Sequence, residues 1–263
     1  MVLFLAGLDP FKLTVIVENQ VTRRTGSVQE RRYYRFRGGR WYGGISTGDV
    51  VGCNLRCKFC WSWRFSYYSN RGWFESPRSA FNKITSIASR CGYKYLRLSG
   101  GEPTIGIDHL YALLDLVEET KYIFILETNG LLIGRYQDIA RKLASYSKLV
   151  VRVSFKGCTP SEFEYLSGAD KSFYDYQFRA LENMINQGLK PCEDIYPAVM
   201  LSFSSSENYS VFKKRLHEIH PALVECIDEE YVILYPHVKE LLSKNKLKPR
   251  ISYDPSGIPE FMI

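Results

Sequence analysis

Apolar and polar positions along this chain switch between two periods, and from Gly44 onward the switching predicts alternating strands and helices. "GISTGDVV" has strand character. "SPRSAFNKITSIASRCG" then offers Ser76 as a helix cap, Pro77 at the first helical position and Gly92 as a stop. "YKYLRLS" predicts a second strand, and "IDHLYALLDLVEET" an amphipathic helix with Asp108 near its start. The apolar "YIFILET" predicts a short strand buried on both faces. The series continues with "RYQDIARKLASYS" as helix, "KLVVRVSF" as strand and "FYDYQFRALENMINQG" as a helix ending at Gly188. "IYPAVMLSF" predicts a strand, "ENYSVFKKRLHEIH" a helix and "YVILYPH" the sixth strand. Six strands with intervening helices predict successive right-handed βαβ units, arranged as a doubly wound sheet or as a barrel. The glycine-rich dinucleotide fingerprint expected after the first strand of a Rossmann sheet is missing.

The ends differ from this middle. Residues 11–18, "FKLTVIVE", and 31–37, "RRYYRFR", both predict strands by their β-branched and aromatic content, with "TRRTGSVQ" as the turn between them. The expected organisation is a basic N-terminal β extension over residues 1–43, an α/β unit over 44–240 and an irregular tail over 241–263. That tail carries Pro249, Pro255 and Pro259. A chain of 263 residues with 45% hydrophobic and 24% charged content suffices for one large α/β domain. The apolar run at residues 2–8 lacks a basic leader and falls short of the ~20 residues of a membrane helix. The expectation is a soluble, cytoplasmic protein with no membrane partner.

Cysteine usage points to chemistry. Of seven cysteines, Cys53, Cys57 and Cys60 crowd into "GDVVGCNLRCKFCW". Cys91, Cys158, Cys192 and Cys226 stand singly and are expected to be buried, inert thiols. Clustered thiols without an export signal point to a metal. Three thiolates leave two readings open. One is zinc, with His109 or Cys91 as a remote fourth ligand; the other is a four-iron cluster with one iron left open for chemistry.

The predicted strand ends carry the rest. The second ends in "LRLSGGEPT", where Gly100 and Gly101 free the backbone for close approach and Glu102 adds an acceptor suited to an ammonium group. The third ends in "FILETNG" with Glu127 and Thr128, the fourth in "VRVSFKG" with Ser154 and Lys156. Ligands of parallel α/β folds sit at these carboxyl ends.

Cys-x3-Cys-x2-Cys with Phe59 before the last cysteine, followed by "SGGEP", resembles the radical S-adenosylmethionine (radical SAM) superfamily. "ETNG" and "SFKG" look like segments of its branch that includes pyruvate formate-lyase activating enzyme. The resemblance spans residues 44–203 and implies an α/β fold, a partial (β/α)6 barrel open along one side. It implies that Cys53, Cys57 and Cys60 hold a 4Fe-4S cluster whose open iron is chelated by S-adenosylmethionine. On the same grounds Gly100, Gly101 and Glu102 meet the methionyl amino group, and Phe59 packs near the adenine. Glu127 and Thr128 lie near the methionine carboxylate, where a monovalent cation can also sit. Lys156 points into the active site. Ser154 stands where the branch has an acidic residue, and residues 198–202 line the adenosine. An electron donor of flavodoxin or ferredoxin type is implied as a partner.

The substrate is less determined. The basic, aromatic "ERRYYRFRGGRWYGG" suits phosphates and bases, or a solvated strand packed on the barrel. A macromolecular substrate, protein or RNA, is therefore the expectation; a non-catalytic zinc protein that binds nucleic acid is the rival. The aromatic stretch 61–74 is expected to shield the cluster. Cys158 and His237 have bland readings as a loop-edge thiol and a partly exposed histidine. Cys57→Ala leaves two thiolates and is expected to abolish the intact cluster and all S-adenosylmethionine cleavage. Iron and sulfide content, with 5′-deoxyadenosine formation, checks this; normal cleavage would refute the ligand assignment.

Overall fold

The computed structural model describes residues 7–263, so most of the apolar run at 2–8 lies outside the described residues. The chain opens with α1 (Pro10–Val21), where a strand was predicted. The Asp9 carboxylate accepts from the Phe11 and Lys12 amides at 2.9 and 3.1 Å, and Pro10 takes the first turn. Phe11, Thr14, Val17 and Val21 form the buried stripe of that helix. The β-branched content of this segment suggested a strand, but the Asp-Pro start and the helical spacing of its buried residues prevail. The stretch 31–37 is a strand as expected, within β2 (Val28–Gly39), but its hairpin partner is β1 (Thr22–Thr25) instead of residues 11–18.

Then follow β3 (Ile45–Val50), the short helix α2 (Trp63–Ser66), β4 (Trp73–Glu75) and α3 (Pro77–Cys91). In α3, Ser76 caps the Ser79 amide at 3.2 Å and Gly92 stops the helix in the left-handed region, as predicted. Next come β5 (Tyr95–Gly100), α4 (Ile107–Glu118) and β6 (Ile123–Thr128). The single helix expected next is two, α5 (Leu131–Arg135) and α6 (Gln137–Leu143), because Tyr136 between them is extended. After β7 (Leu149–Phe155) lies α7 (Pro160–Ser167), missed in the sequence although Thr159 and Pro160 mark its start. The order ends with α8 (Asp175–Asn186), β8 (Ile195–Met200), α9 (Ser206–Ile219), β9 (Asp228–Glu230), β10 (Val232–Ile233), α10 (Pro236–Lys244) and β11 (Ser252–Tyr253).

One sheet runs β1-β2-β3-β5-β6-β7-β8-β9, with β4 on β2. β4 aside, the strands from β3 to β9 pair in parallel in chain order, β5 on β3, β6 on β5, β7 on β6, β8 on β7 and β9 on β8. Strand order follows chain order without reversal, so the sheet is singly wound; a doubly wound sheet would reverse at a switch point. The sixth parallel strand is "DEE", not "YVILYPH". Val232 and Ile233 pair instead with Ser252 and Tyr253, so the tail contributes a strand rather than an irregular strap. The N-terminal hairpin extends the same sheet, since β2 pairs antiparallel with β3, and Val17 and Val21 join the common core.

The scattered cysteines separate into three kinds. Cys158 is a buried thiol as expected, Cys91 is exposed, and Cys192 is disulfide-bonded to Cys226. Neither proposed fourth zinc ligand serves. Cys91 ends α3 just before β5 begins, at the opposite end of the parallel strands from the cysteine loop. His109 is buried on α4 with Nε2 accepting from the Tyr33 hydroxyl at 2.8 Å and Nδ1–H donating to the Gln29 carbonyl at 3.1 Å.

Burial lowers the His109 pKa from 6.5 to about 4. The unfolded chain binds this proton first, so the stabilisation is complete above pH 6.5 and lost as pH falls toward 4. Metal-free protein is expected to lose up to roughly 3 kcal/mol over that window through this residue. Urea unfolding of wild type and His109→Gln across the window checks it: the variant's pH profile should be flatter, and parallel profiles would refute the assignment.

Candidate active site

Beyond the last residues of β3 and β5 the two chains keep pairing. The Gly101 amide donates to Val50 O at 2.8 Å and the Glu102 amide to Gly52 O at 2.9 Å. The approach is so close that a Cβ on Gly101 would fall 2.1 Å from Gly52 O. This glycine is therefore a packing requirement, and it brings the Gly-Gly-Glu turn against the root of the cysteine loop.

Backbone bonds hold that loop from two sides. Gly52 and Cys53 amides donate to Phe65 O and Ser66 O of α2, at 3.0 and 3.1 Å. Arg56 and Lys58 amides donate to Ser167 O and Leu166 O at the end of α7, both at 2.9 Å. The helix missed in the sequence is thus the outer wall of the loop. The aromatic stretch folds back over it: Ser62 and Ser66 hydroxyls donate to Gly100 O, and the Tyr67 hydroxyl to Cys57 O at 2.6 Å. The Trp63 indole donates to His237 O at 3.0 Å, and His237 Nε2 reaches back to Trp61 O at 2.7 Å. His237 therefore fastens α10 to the shield.

Cys57 is buried, Cys53 and Cys60 partly so. Cys53 Sγ accepts from the Leu55 amide at 3.4 Å, with Asn129 Nδ2 4.0 Å away; Cys60 Sγ meets the Ser62 hydroxyl at 3.4 Å. Burial, then the Glu102 charge, pushes the Cys53 thiol up to about 12. Burial pushes Cys57 higher still, against the pull of Lys156. Such thiols ionise only when a metal cation takes the proton's place. Among the described residues no three His, Cys, Asp or Glu side chains gather closely enough for one metal ion. Three thiols on one loop, with the Leu55 amide donating to one of the sulfurs, fit an iron–sulfur cluster better than a closed zinc site.

Glu102 is 3% exposed and has a task that sequence did not disclose. Its Oε1 accepts from the Thr104 amide (3.1 Å), the Thr104 hydroxyl (2.7 Å) and the Thr128 hydroxyl (2.7 Å). Its Oε2 accepts from the Asn129 amide at 2.8 Å. The carboxylate rivets the end of β5 to the end of β6. Asn129 passes the link on, donating to Asn54 Oδ1 in the cysteine loop at 2.7 Å.

The inward face of the sheet is charged. Arg97 donates to Glu127 at 2.6 Å, and Glu127 also accepts from the Tyr42 hydroxyl at 2.8 Å. Burial alone would raise the Glu127 pKa, but Arg97 and then Arg152 outweigh it and hold it low. Arg152 pairs with Asp228 at 2.6 Å and Glu230 at 2.8 Å. Ser154 donates to Glu230 at 2.8 Å, and Lys156 bonds Ser154 and lies 3.9 Å from Glu230. Ser154, where the related branch has an acid, is thus accompanied by a carboxylate from the sixth strand. Sequence periodicity does not disclose Glu230, because it places the sixth strand three residues later, from Tyr231. Phe59 is buried and meets Phe203, just beyond β8, with ring centroids 5.6 Å apart.

The basic hairpin is less available than its composition suggests. Arg31 is buried and donates to Ile105 O at 2.8 Å; Arg32 donates to Gln20 O and Gly72 O. Arg35 and Arg37 both pair with buried Asp49, at 2.7 and 2.8 Å. Arg23 pairs with Glu30 and Arg24 with Asp108.

A singly wound, open α/β sheet with a three-cysteine loop locked to a Gly-Gly-Glu turn defines a class of enzyme, and comparison with known proteins identifies it. The family model described as the Radical SAM superfamily matches residues 49–199, and the chain belongs to that superfamily. Among curated relatives, a probable GTP 3′,8-cyclase of Thermococcus kodakarensis is 31% identical over 121 residues, 45% of this chain and 36% of that protein. The corresponding protein of Saccharolobus solfataricus is 25% identical over 231 residues, 78% of this chain and 69% of that one. The chain thus spans about a third of the Thermococcus relative's length. Streptococcus suis SuiB bound to S-adenosylmethionine superposes with a TM-score of 0.52 at 19% identity, over 80% of this chain and 45% of SuiB. TYW1 with a lysine–pyruvate adduct gives 0.52 at 16% identity, over 90% and 88% of the two chains. At those identities the likeness is one of fold. Radical SAM enzymes use a 4Fe-4S cluster and S-adenosylmethionine.

Glu230→Gln is expected to leave Arg152 and Lys156 short of one negative charge and to cost about 3 kcal/mol of stability. Asp228→Asn, at the more exposed carboxylate, should cost less. Chemical denaturation of the two variants checks the order; equal or negligible losses would contradict it.

Proposed function

We propose that this enzyme cleaves S-adenosylmethionine reductively and directs the resulting radical at a small polar molecule bearing ionised groups. In this reading Cys53, Cys57 and Cys60 hold the cluster. When bound, cluster and cofactor supply a reductively generated carbon radical able to abstract hydrogen. Gly100, Gly101 and Glu102 receive the methionyl amino group, mainly through strand-end backbone, since four hydrogen bonds within the chain occupy the Glu102 carboxylate. Glu127 and Thr128 border the methionyl carboxylate, and Phe59, with Phe203 and residues 198–202, the adenosine. Lys156, with Ser154 and Glu230, faces the reacting end. The folded aromatic stretch keeps water out. An electron donor of flavodoxin or ferredoxin type delivers the electron.

The observation that carries the substrate class is the ion-paired inner face: Arg97 with Glu127, and Arg152 and Lys156 with Asp228 and Glu230. A charged substrate can exchange partners with such pairs at little desolvation cost, whereas an apolar one would leave them unmatched. The names of the curated relatives carry a nucleotide, which is a molecule of this kind. The basic hairpin, one of the supports for a macromolecular substrate, has most of its arginines bonded within the chain.

Anaerobic reconstitution tests both levels. A brown protein that forms 5′-deoxyadenosine from S-adenosylmethionine under reduction is expected, faster with the low-molecular-mass fraction of a cell extract than with RNA or protein. Stimulation by RNA or protein alone would favour the macromolecular reading, and a colourless protein holding one zinc and cleaving nothing would defeat the radical reading.

A further inference from the structure

Tyr34 is placed where no motif would put a functional residue. On β2, Tyr33 pairs with Val50 and Arg35 with Asp49, so Tyr34 is the extra residue of a β-bulge. Bulges re-aim side chains, and they recur beside active sites. Here the re-aimed ring lies flat on Phe65 of the cluster shield, with centroids 3.8 Å apart and planes within 2°. The Arg35 guanidinium stands 5.7 Å from the ring centroid. At the tip, the hydroxyl is buried and has no hydrogen-bond partner. A Cβ built on Gly100 would lie 2.9 Å from it, so the hydroxyl sits over the first glycine of the Gly-Gly-Glu turn. Asp49 and Cys60 are both within electrostatic reach.

A buried hydroxyl without a partner carries a desolvation penalty, and a native fold keeps one where something binds. This one lies over the first strand-end glycine and beside the segment that follows the cysteine loop, and the cofactor of this superfamily is held between that glycine turn and that loop. We propose that the Tyr34 hydroxyl donates a hydrogen bond to the methionyl end of bound S-adenosylmethionine. The inference rests on the cofactor assignment above and adds a positioning residue from outside the barrel strands. A neutral phenol is a donor at working pH, and the methionyl carboxylate is the complementary acceptor. The stack on Phe65 fixes the ring's direction through the same segment that folds over the cysteine loop.

Tyr34→Phe tests this cleanly, since phenylalanine keeps the stack and removes only the orphaned group. The reconstituted variant is expected to carry the same iron and sulfide and to give the same reduced-cluster electron paramagnetic resonance spectrum before cofactor is added. Its S-adenosylmethionine affinity, read by the spectral change during titration, should fall about tenfold to a hundredfold, the loss of one hydrogen bond to a charged group. The metal-free variant should be at least as stable as wild type. Affinity within twofold of wild type would overturn the proposal. An altered spectrum without cofactor would also overturn it, by showing that the hydroxyl acts on Cys60 or the cluster. If wild type itself binds no S-adenosylmethionine, the cofactor assignment fails and the inference with it.

Discussion

The site depends on one short stretch of main chain, where β3 and β5 go on hydrogen bonding past their last paired residues. Gly101 N to Val50 O and Glu102 N to Gly52 O set the cysteine loop and the Gly-Gly-Glu turn at a fixed separation. Because this contact leaves no room for a side chain at Gly101, it is rigid in a way that side-chain contacts are not. The Glu102 carboxylate then extends the same frame sideways to Thr128 and Asn129, and Asn129 closes it back onto Asn54. Cysteine loop, glycine turn and third strand end therefore form one hydrogen-bonded unit.

Around that unit the chain places two covers of different origin. The inner one is local: residues just after the last cysteine turn back over the loop through Ser62, Ser66 and Tyr67. The outer one is remote, with α7 holding the Arg56 and Lys58 amides and α10 holding Trp61 and Trp63 through His237. The covers of the cysteine loop thus come from three parts of the chain.

The inner face of the sheet answers a different constraint. Buried ion pairs contribute little net stability and cost much when one partner is lost. Their presence under four strand ends is what the proposed charged substrate is inferred from, since they serve poorly as ballast for the fold. Aliphatic side chains of similar size would pack there at lower cost.

What the sequence alone determined is the part governed by local rules. The parallel strands from Ile45 to Met200, the capped helix after Ser76 and the three-thiol motif follow from periodicity, capping residues and spacing, each read within a few neighbouring positions. The family, and with it the cofactors, follows from the order of motifs on successive strand ends. Local rules failed where a segment's partner lies far away. Residues 10–21 look like a strand until Asp9 and the core fix them as a helix, and "DEE" looks like a loop until β8 pairs with it. Only the tertiary structure decided that Glu230 joins Ser154 and Lys156, that Arg31 of the hairpin is buried against Ile105, and that a bulge aims Tyr34 at Gly100. Each of these joins residues at least a dozen positions apart, and the energy that sets them comes from burial and charge pairing that no short window of sequence contains.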